Sequence, residues 1–129
     1  MVVTDFRLLA YLHDAVCSQI AWDCKSPSGR VMSLLVTADK EAGYSLWEGK
    51  KLLITLSDVA AVLFTGWGFV TGDENIDSWQ QGISESLERE CQSLLARRIA
   101  VPPLKFTISF RSGSWVELVC AEVSVVEKR

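Results

Sequence analysis

The 129-residue sequence predicts an α+β domain: a mainly antiparallel β-sheet, built of a meander plus a C-terminal hairpin, with one long amphipathic helix packed on it. Three observations predict this. Residues 104–111 alternate strictly, with Leu104, Phe106, Ile108 and Phe110 set against Lys105, Thr107, Ser109 and Arg111, the period of a half-buried strand. After Ser112-Gly113 the run over 115–126 is dense in β-branched residues, so the two stretches pair as an antiparallel hairpin. Between them and the start of the chain, Ile83, Leu87, Cys91, Leu94 and Leu95 recur at helical spacing while Glu85, Glu88, Glu90, Gln92 and Arg97 lie elsewhere.

Taken in order, residues 4–12 read as a short helix capped by Thr4, with Phe6, Leu9 and Ala10 on one side. Residues 15–23 form a first strand, with Val16, Ile20 and Trp22 on one face, interrupted by Ser18, and Cys17, Gln19 and Ala21 on the other. A turn over 25–30 leads into a second strand at 31–38, with Met32, Leu34, Val36 and Ala38 inward. Residues 39–51 are a polar loop with Tyr44, Leu46 and Trp47 as apolar islands, whose aromatics fold back on the sheet. Residues 52–56 make a third strand and 59–64 a fourth, with Ser57-Asp58 either a tight turn between them or a bend in one long strand. Gly66, Gly68 and Gly72 mark irregular backbone carrying Trp67 and Phe69. The helix covers 84–98, starting as early as Trp79 if Ser78 and Gln81 form a capping box; Glu85 and Arg89 pair on it, and Pro102-Pro103 ends it.

The hairpin sets a test of its own register. A two-residue loop at Ser112-Gly113 pairs Ile108 with Glu117 and puts that carboxylate on the apolar face. Burying it unpaired costs several kcal/mol, roughly, so a bulge near the turn is expected instead, with Val116, Leu118 and Cys120 opposite the phenylalanines and Glu117 facing water. The alternative is a buried Glu117 with a basic partner, which makes it a functional candidate.

Composition bounds the function. With 49% hydrophobic and 22% charged residues the chain fits one domain with its own core. A net charge of −3 without a Lys/Arg-rich run argues against nucleic acid and is compatible with a basic protein partner. Asp5 and Arg7 interrupt any leader, and the apolar stretch 52–64 is too short for a bilayer, so no membrane role and a cytoplasmic home are expected. Cys17, Cys24, Cys91 and Cys120 form no C-x-x-C pair, and read as buried free thiols.

Three constellations could carry chemistry. Asp73, Asn75 and Asp77 match the first, third and fifth places of a calcium loop, but Ser78 stands where glycine is needed and Ser84 where a bidentate carboxylate should close the shell. No metal and no cofactor is therefore expected, and the segment reads as an acidic lead-in to the helix N-terminus. His13, the lone histidine, adjoins Asp14, so any acid–base scheme must use it, with Cys17 or Cys24 as nucleophile; a structural role tying the first strand to backbone groups is the plainer reading. Trp47 and Trp67 in loops, beside Asp73, Glu74 and Asp77, would make a protein-binding patch with an acidic rim. The expectation is a non-enzymatic binding protein acting through those five residues. The alternatives are a small-ligand binder or hydrolase-like enzyme using His13, Asp14 and Glu117 with a cysteine, and an assembly subunit or homo-oligomer joined through an uncovered strand edge.

Leu12-His13-Asp14-Ala15 opening a strand, Gly66-Trp67-Gly68 in mid-chain, and Phe110-Arg111-Ser112-Gly113 followed by Ala121-Glu122-Val123 together resemble the small β-rich bacterial domains that begin with Leu-His-Asp-Ala, some assigned as immunity proteins to polymorphic toxins. The helix over 84–98 departs from that pattern. The resemblance implies a non-enzymatic cytoplasmic protein that masks a toxin with an acidic, aromatic surface, and it carries no catalytic set to transfer.

Overall fold

The computed structural model describes residues 1–23, 30–66 and 73–129. A 3-10 helix at Phe6–Leu12 precedes β1 (Val16–Asp23), β2 (Val31–Thr37), β3 (Lys51–Ser57), β4 (Ala61–Thr65) and β5 (Glu74–Gln81). The helix α1 (Glu85–Ala96) follows, then β6 (Leu104–Phe110), β7 (Trp115–Cys120) and β8 (Glu122–Glu127). The expected meander is β1-β2-β3 and the expected hairpin is β6-β7, all antiparallel.

The strand order is β4-β7-β6-β5-β1-β2-β3-β8, and its two ends are continuations of interior strands. Chain β3–β4 bends at Asp58, whose φ of 52° is left-handed, and chain β7–β8 bends at Ala121; β3 pairs with β8 and β4 with β7. Backbone bonds Ala60 N to Val119 O and Ala121 N to Ser57 O carry the ladder across the corner. Ser57-Asp58 is therefore the bend of the two alternatives. At the opposite corner β1 meets β5, among the described residues, at Val16↔Asn75 and Cys17↔Glu74. Two four-stranded layers thus close on one another into a six-stranded antiparallel barrel if each bent chain counts once, a closure that covers strand edges wherever pairing persists.

The interior is one apolar cluster drawn from both layers, including Met32, Leu34, Leu52, Ile54, Ile76, Phe106, Ile108, Leu118 and Val123, all at most 1% exposed. Leu9 and Leu12 of the 3-10 helix are fully buried beneath it, and Phe6 meets Phe106 edge-on at 5.4 Å. That helix is capped by Asp5, which accepts from Arg7 N, and not by Thr4. In the hairpin Phe106 faces Leu118 and Ile108 faces Val116, the bulged register; the loop is Arg111-Ser112-Gly113, with Phe110 N donating to Ser114 O and Gly113 at φ 91°.

Three expectations are corrected. The helix is short, twelve residues capped by Ser84, and it packs on the outer face of the β4–β7 layer through Leu87 and Cys91 against Val119, leaving Leu95 half exposed. Its stripe is too narrow to cover a sheet. Residues 74–81, expected as acidic lead-in and first helical turn, are the strand β5. The cause is a bulge between Ile76 and Ser78, which spaces the inward Ile76 and Trp79 three apart, as a helix would. A bulge between Cys17 and Gln19 does the same in β1, so Cys17, Ile20 and Trp22 share the inner face, opposite Val36, Leu34 and Met32.

Gly66 closes β4 at φ 107°, and a Cβ there would stand 2.8 Å from the Ser114 Cα. Gly66→Ala combines a left-handed strain with a backbone clash, so it should lower stability by about 2 kcal/mol or more in a denaturant titration; an unchanged midpoint would mean that the β4–hairpin contact is not closed in solution.

Candidate functional site

The expected patch is not assembled as drawn. Trp47 is 4% exposed in the core, edge-on to Tyr44 at 4.9 Å, because the β2–β3 loop turns back with Trp47 N donating to Tyr44 O. It offers no surface to a partner, so its place in the patch is corrected. Trp67 and Cys24 lie outside the described residues. Asp73 and Asp77 are exposed, whereas Glu74 is only 7% exposed and turns inward beside Cys17. Asn75 and Asp77 lie on an extended strand, not in a curled loop, and among the described residues no cluster of three or more His, Cys, Asp or Glu could hold a metal.

His13 and Asp14 do meet, because Asp14 takes a left-handed φ of 65° that turns its carboxylate back: His13 Nδ1 lies 3.2 Å from Asp14 Oδ2, and Arg111 pairs with Oδ1. The side chains of His13 and Arg111 are half exposed or more, and no described thiol joins them. The backbone explains the turn: Asp14 N donates to Ile76 O at 2.7 Å and Ile76 N to Ala15 O at 2.8 Å, stitching the start of β1 to β5. The tie to β5 is made by the backbone, whereas the side chains expected to make it bond each other and Arg111 instead.

Glu117 faces outward, as the bulged register requires, but not to water: α1 covers it to 2% exposure. Its Oε1 accepts from Ser84 N at 2.5 Å and its Oε2 from Trp115 Nε1 at 3.2 Å. Burial opposes the charge, yet these donors outweigh it and hold the carboxyl below the ordinary glutamate value. Neither the solvated nor the base-paired alternative holds; Glu117 anchors the start of α1, and Lys105 fastens the helix again through Glu88 at 2.9 Å.

Beside the pairs of β1 with β5 lies a cleft of about 320 Å³, lined among the described residues by Cys17, Ser18, Gln19, Ile20, Trp22, Phe64 and Glu74. The bulge aims Ile20 and Trp22 into it from β1; Phe64 enters from β4, on the inner face by its pairing with Val116. Trp22 is 49% and Phe64 42% exposed, whereas the rings of the core are sealed. Burial, reinforced by the Asp73 and Glu74 carboxylates, pushes the Cys17 thiol up to about 11, and burial alone pushes Cys120 up to about 12. Neither is poised as a thiolate. Sequence reading missed this cleft apart from Glu74, since without the bulge Trp22 and Cys17 fall on opposite faces.

The fold and cleft define a small closed antiparallel barrel, open beside β1. Compared with family models, curated proteins and solved structures, the chain matches none. Among the described residues no helix is long and apolar enough to cross a membrane.

Two outcomes follow. Glu117→Gln should cost about 1–2 kcal/mol at pH 7 by weakening charge-assisted bonds. Because the folded value is depressed, that contribution is full above the unfolded glutamate value and is lost as pH falls through the folded one, so the gap between urea titrations of the two proteins should narrow as pH falls below the ordinary glutamate value; a gap of unchanged size there would place the cost in packing. Cys17, with roughly 0.1% thiolate at pH 8, should alkylate far more slowly than free cysteine when its peptide is followed by mass spectrometry. Rapid labelling would restore it as a nucleophile.

Proposed function

We propose that this chain is a non-enzymatic binding protein whose working surface is the cleft beside β1, and that its partner is a protein with basic character. The observation that carries this is the concentration of two half-exposed rings, Trp22 and Phe64, with the inward Glu74 around one concavity. Exposed aromatics on a rigid rim supply contact area at little conformational cost. The remaining candidates for chemistry are dispersed: His13 and Asp14 sit on an open surface with Arg111, Glu117 is occupied by the start of α1, and Cys17 and Cys120 are held protonated. A net charge of −3 favours a basic partner through long-range attraction. Neutralising a basic toxin, as the Leu-His-Asp-Ala resemblance implies, is one form that such binding takes.

The test is capture from the host lysate by immobilised wild type and by the Trp22→Ala/Phe64→Ala double variant, with Leu46→Ala, another exposed apolar residue, as control. A protein retained saturably by wild type and by the control should fall at least tenfold with the double variant, measured by quantitative mass spectrometry. Equal retention by the double variant would overturn the assignment of the cleft.

A further inference from the structure

Resting on the reading of the cleft as the binding surface, we infer that it receives an aliphatic cation: an ammonium or guanidinium on a straight methylene stem, with the charge set against Glu74. The argument begins with that carboxylate. Glu74 is 93% removed from solvent by the complement of its 7% exposure, it lines the cleft, and it takes no hydrogen bond or ion pair from any described residue. Every other well-buried acid group is provided for: Glu117, the only other buried carboxylate among the described residues, has two N–H donors. The Glu74 carboxylate opens on the cleft with no donor from a described residue, so a ligand that brings a positive donor there gains a charge-assisted bond.

The rest of the lining selects the ligand. Among the described residues no lysine, arginine or histidine lines the cleft, and Glu74 would repel an anion there. A neutral donor would bond one oxygen of Glu74 and leave its charge unmatched. A bare metal ion finds one carboxylate and a thiol held protonated, short of a coordination shell. An organic cation fits each part: its head meets Glu74, and its stem lies along Ile20 and the faces of Trp22 and Phe64, whose π-clouds attract a positive charge. The shape agrees. Glu74 pairs with Cys17 at one end, and Trp22 stands five residues further along β1, roughly 15 Å at the rise of a strand, so the recess is elongated as a methylene chain is.

The ammonium could come from a free alkylamine or from a lysine of a partner protein, and calorimetric titration separates them. The probes are n-hexylamine, a lysine pentapeptide with glycine flanks, and the same peptide with norleucine, which keeps the stem and removes the charge. Saturable binding of the lysine peptide or of hexylamine, at least tenfold tighter than norleucine and at least tenfold weakened in Glu74→Gln, is expected, with Glu85→Gln on α1 unchanged. Hexylamine binding as well as the peptide assigns the site to free amines; binding of the peptide alone assigns it to a protein side chain. Binding of none of the probes, equal binding of norleucine, or indifference to Glu74→Gln would overturn the inference. Should that variant fail to fold in a thermal melt, the lysine–norleucine comparison on wild type decides alone. Lysate capture that survives Glu74→Gln but not Trp22→Ala/Phe64→Ala would refute the cation while leaving the cleft as the binding surface.

Discussion

The antiparallel pairing of two bent chains, β3–β4 with β7–β8, is the constraint on which the other features depend. Each chain must cross from one layer to the other without losing its partner, and the ladder survives the corner because both bend at nearly the same level, Asp58 and Ala121. Asp58 accepts a left-handed backbone to do so, a conformation that a short polar side chain tolerates better than a branched one. At the opposite corner β1 and β5 pair at Val16↔Asn75 and Cys17↔Glu74, and the cleft lies beside those pairs.

How legible this was depends on where the chain keeps an unbroken period. The meander and the hairpin were legible because β2, β3 and β6 alternate without a fault: Met32, Leu34 and Val36, then Leu52, Ile54 and Leu56, then Phe106, Ile108 and Phe110 are all buried. The hairpin register followed from the cost of burying Glu117. β5 was illegible for the same physical reason that makes it useful. Its bulge at Asp77 and its polar outer face, Asn75, Asp77 and Gln80, erase the period of two, and the spacing from Ile76 to Trp79 imitates a helix. The helix was overread because Leu94 and Leu95 share the stripe of Leu87 and Cys91, although the layer beneath offers only Val119, Ala60 and Ala61 to pack against. A side chain's period says which way it faces; it does not say how far the neighbouring surface extends.

The site was legible only in fragments. Asp73 and Glu74 were singled out, but as one acidic rim, whereas the strand sends them to opposite fates: Asp73 is exposed and Glu74 is turned in with Cys17. Trp47 carried two readings, a ring folded back on the sheet and a ring free for contact, and the first holds, since burying the ring offsets the ordering of the loop. Trp22 looked like a core residue. The bulge at Ser18 carried it to the inner face, where it lines the cleft and stays 49% exposed.

Glu74 and Glu117 show why burial alone does not distinguish a structural acid from a working one. Both are nearly removed from solvent, and both lie on strands of the same barrel. Glu117 faces a helix start whose backbone N–H groups have no partner of their own, so its charge completes an element, and the indole of Trp115 fills its second oxygen. Glu74 faces a recess that holds apolar rings and a protonated thiol, none of which can neutralise it. The first acid's partners belong to the fold and arrive when the chain folds. The second lines a recess with Trp22 and Phe64, and no described lining residue brings it a cation. An acid in that position favours the cleft filled by a positive charge, which is the condition for selecting a cation over a neutral chain of the same length.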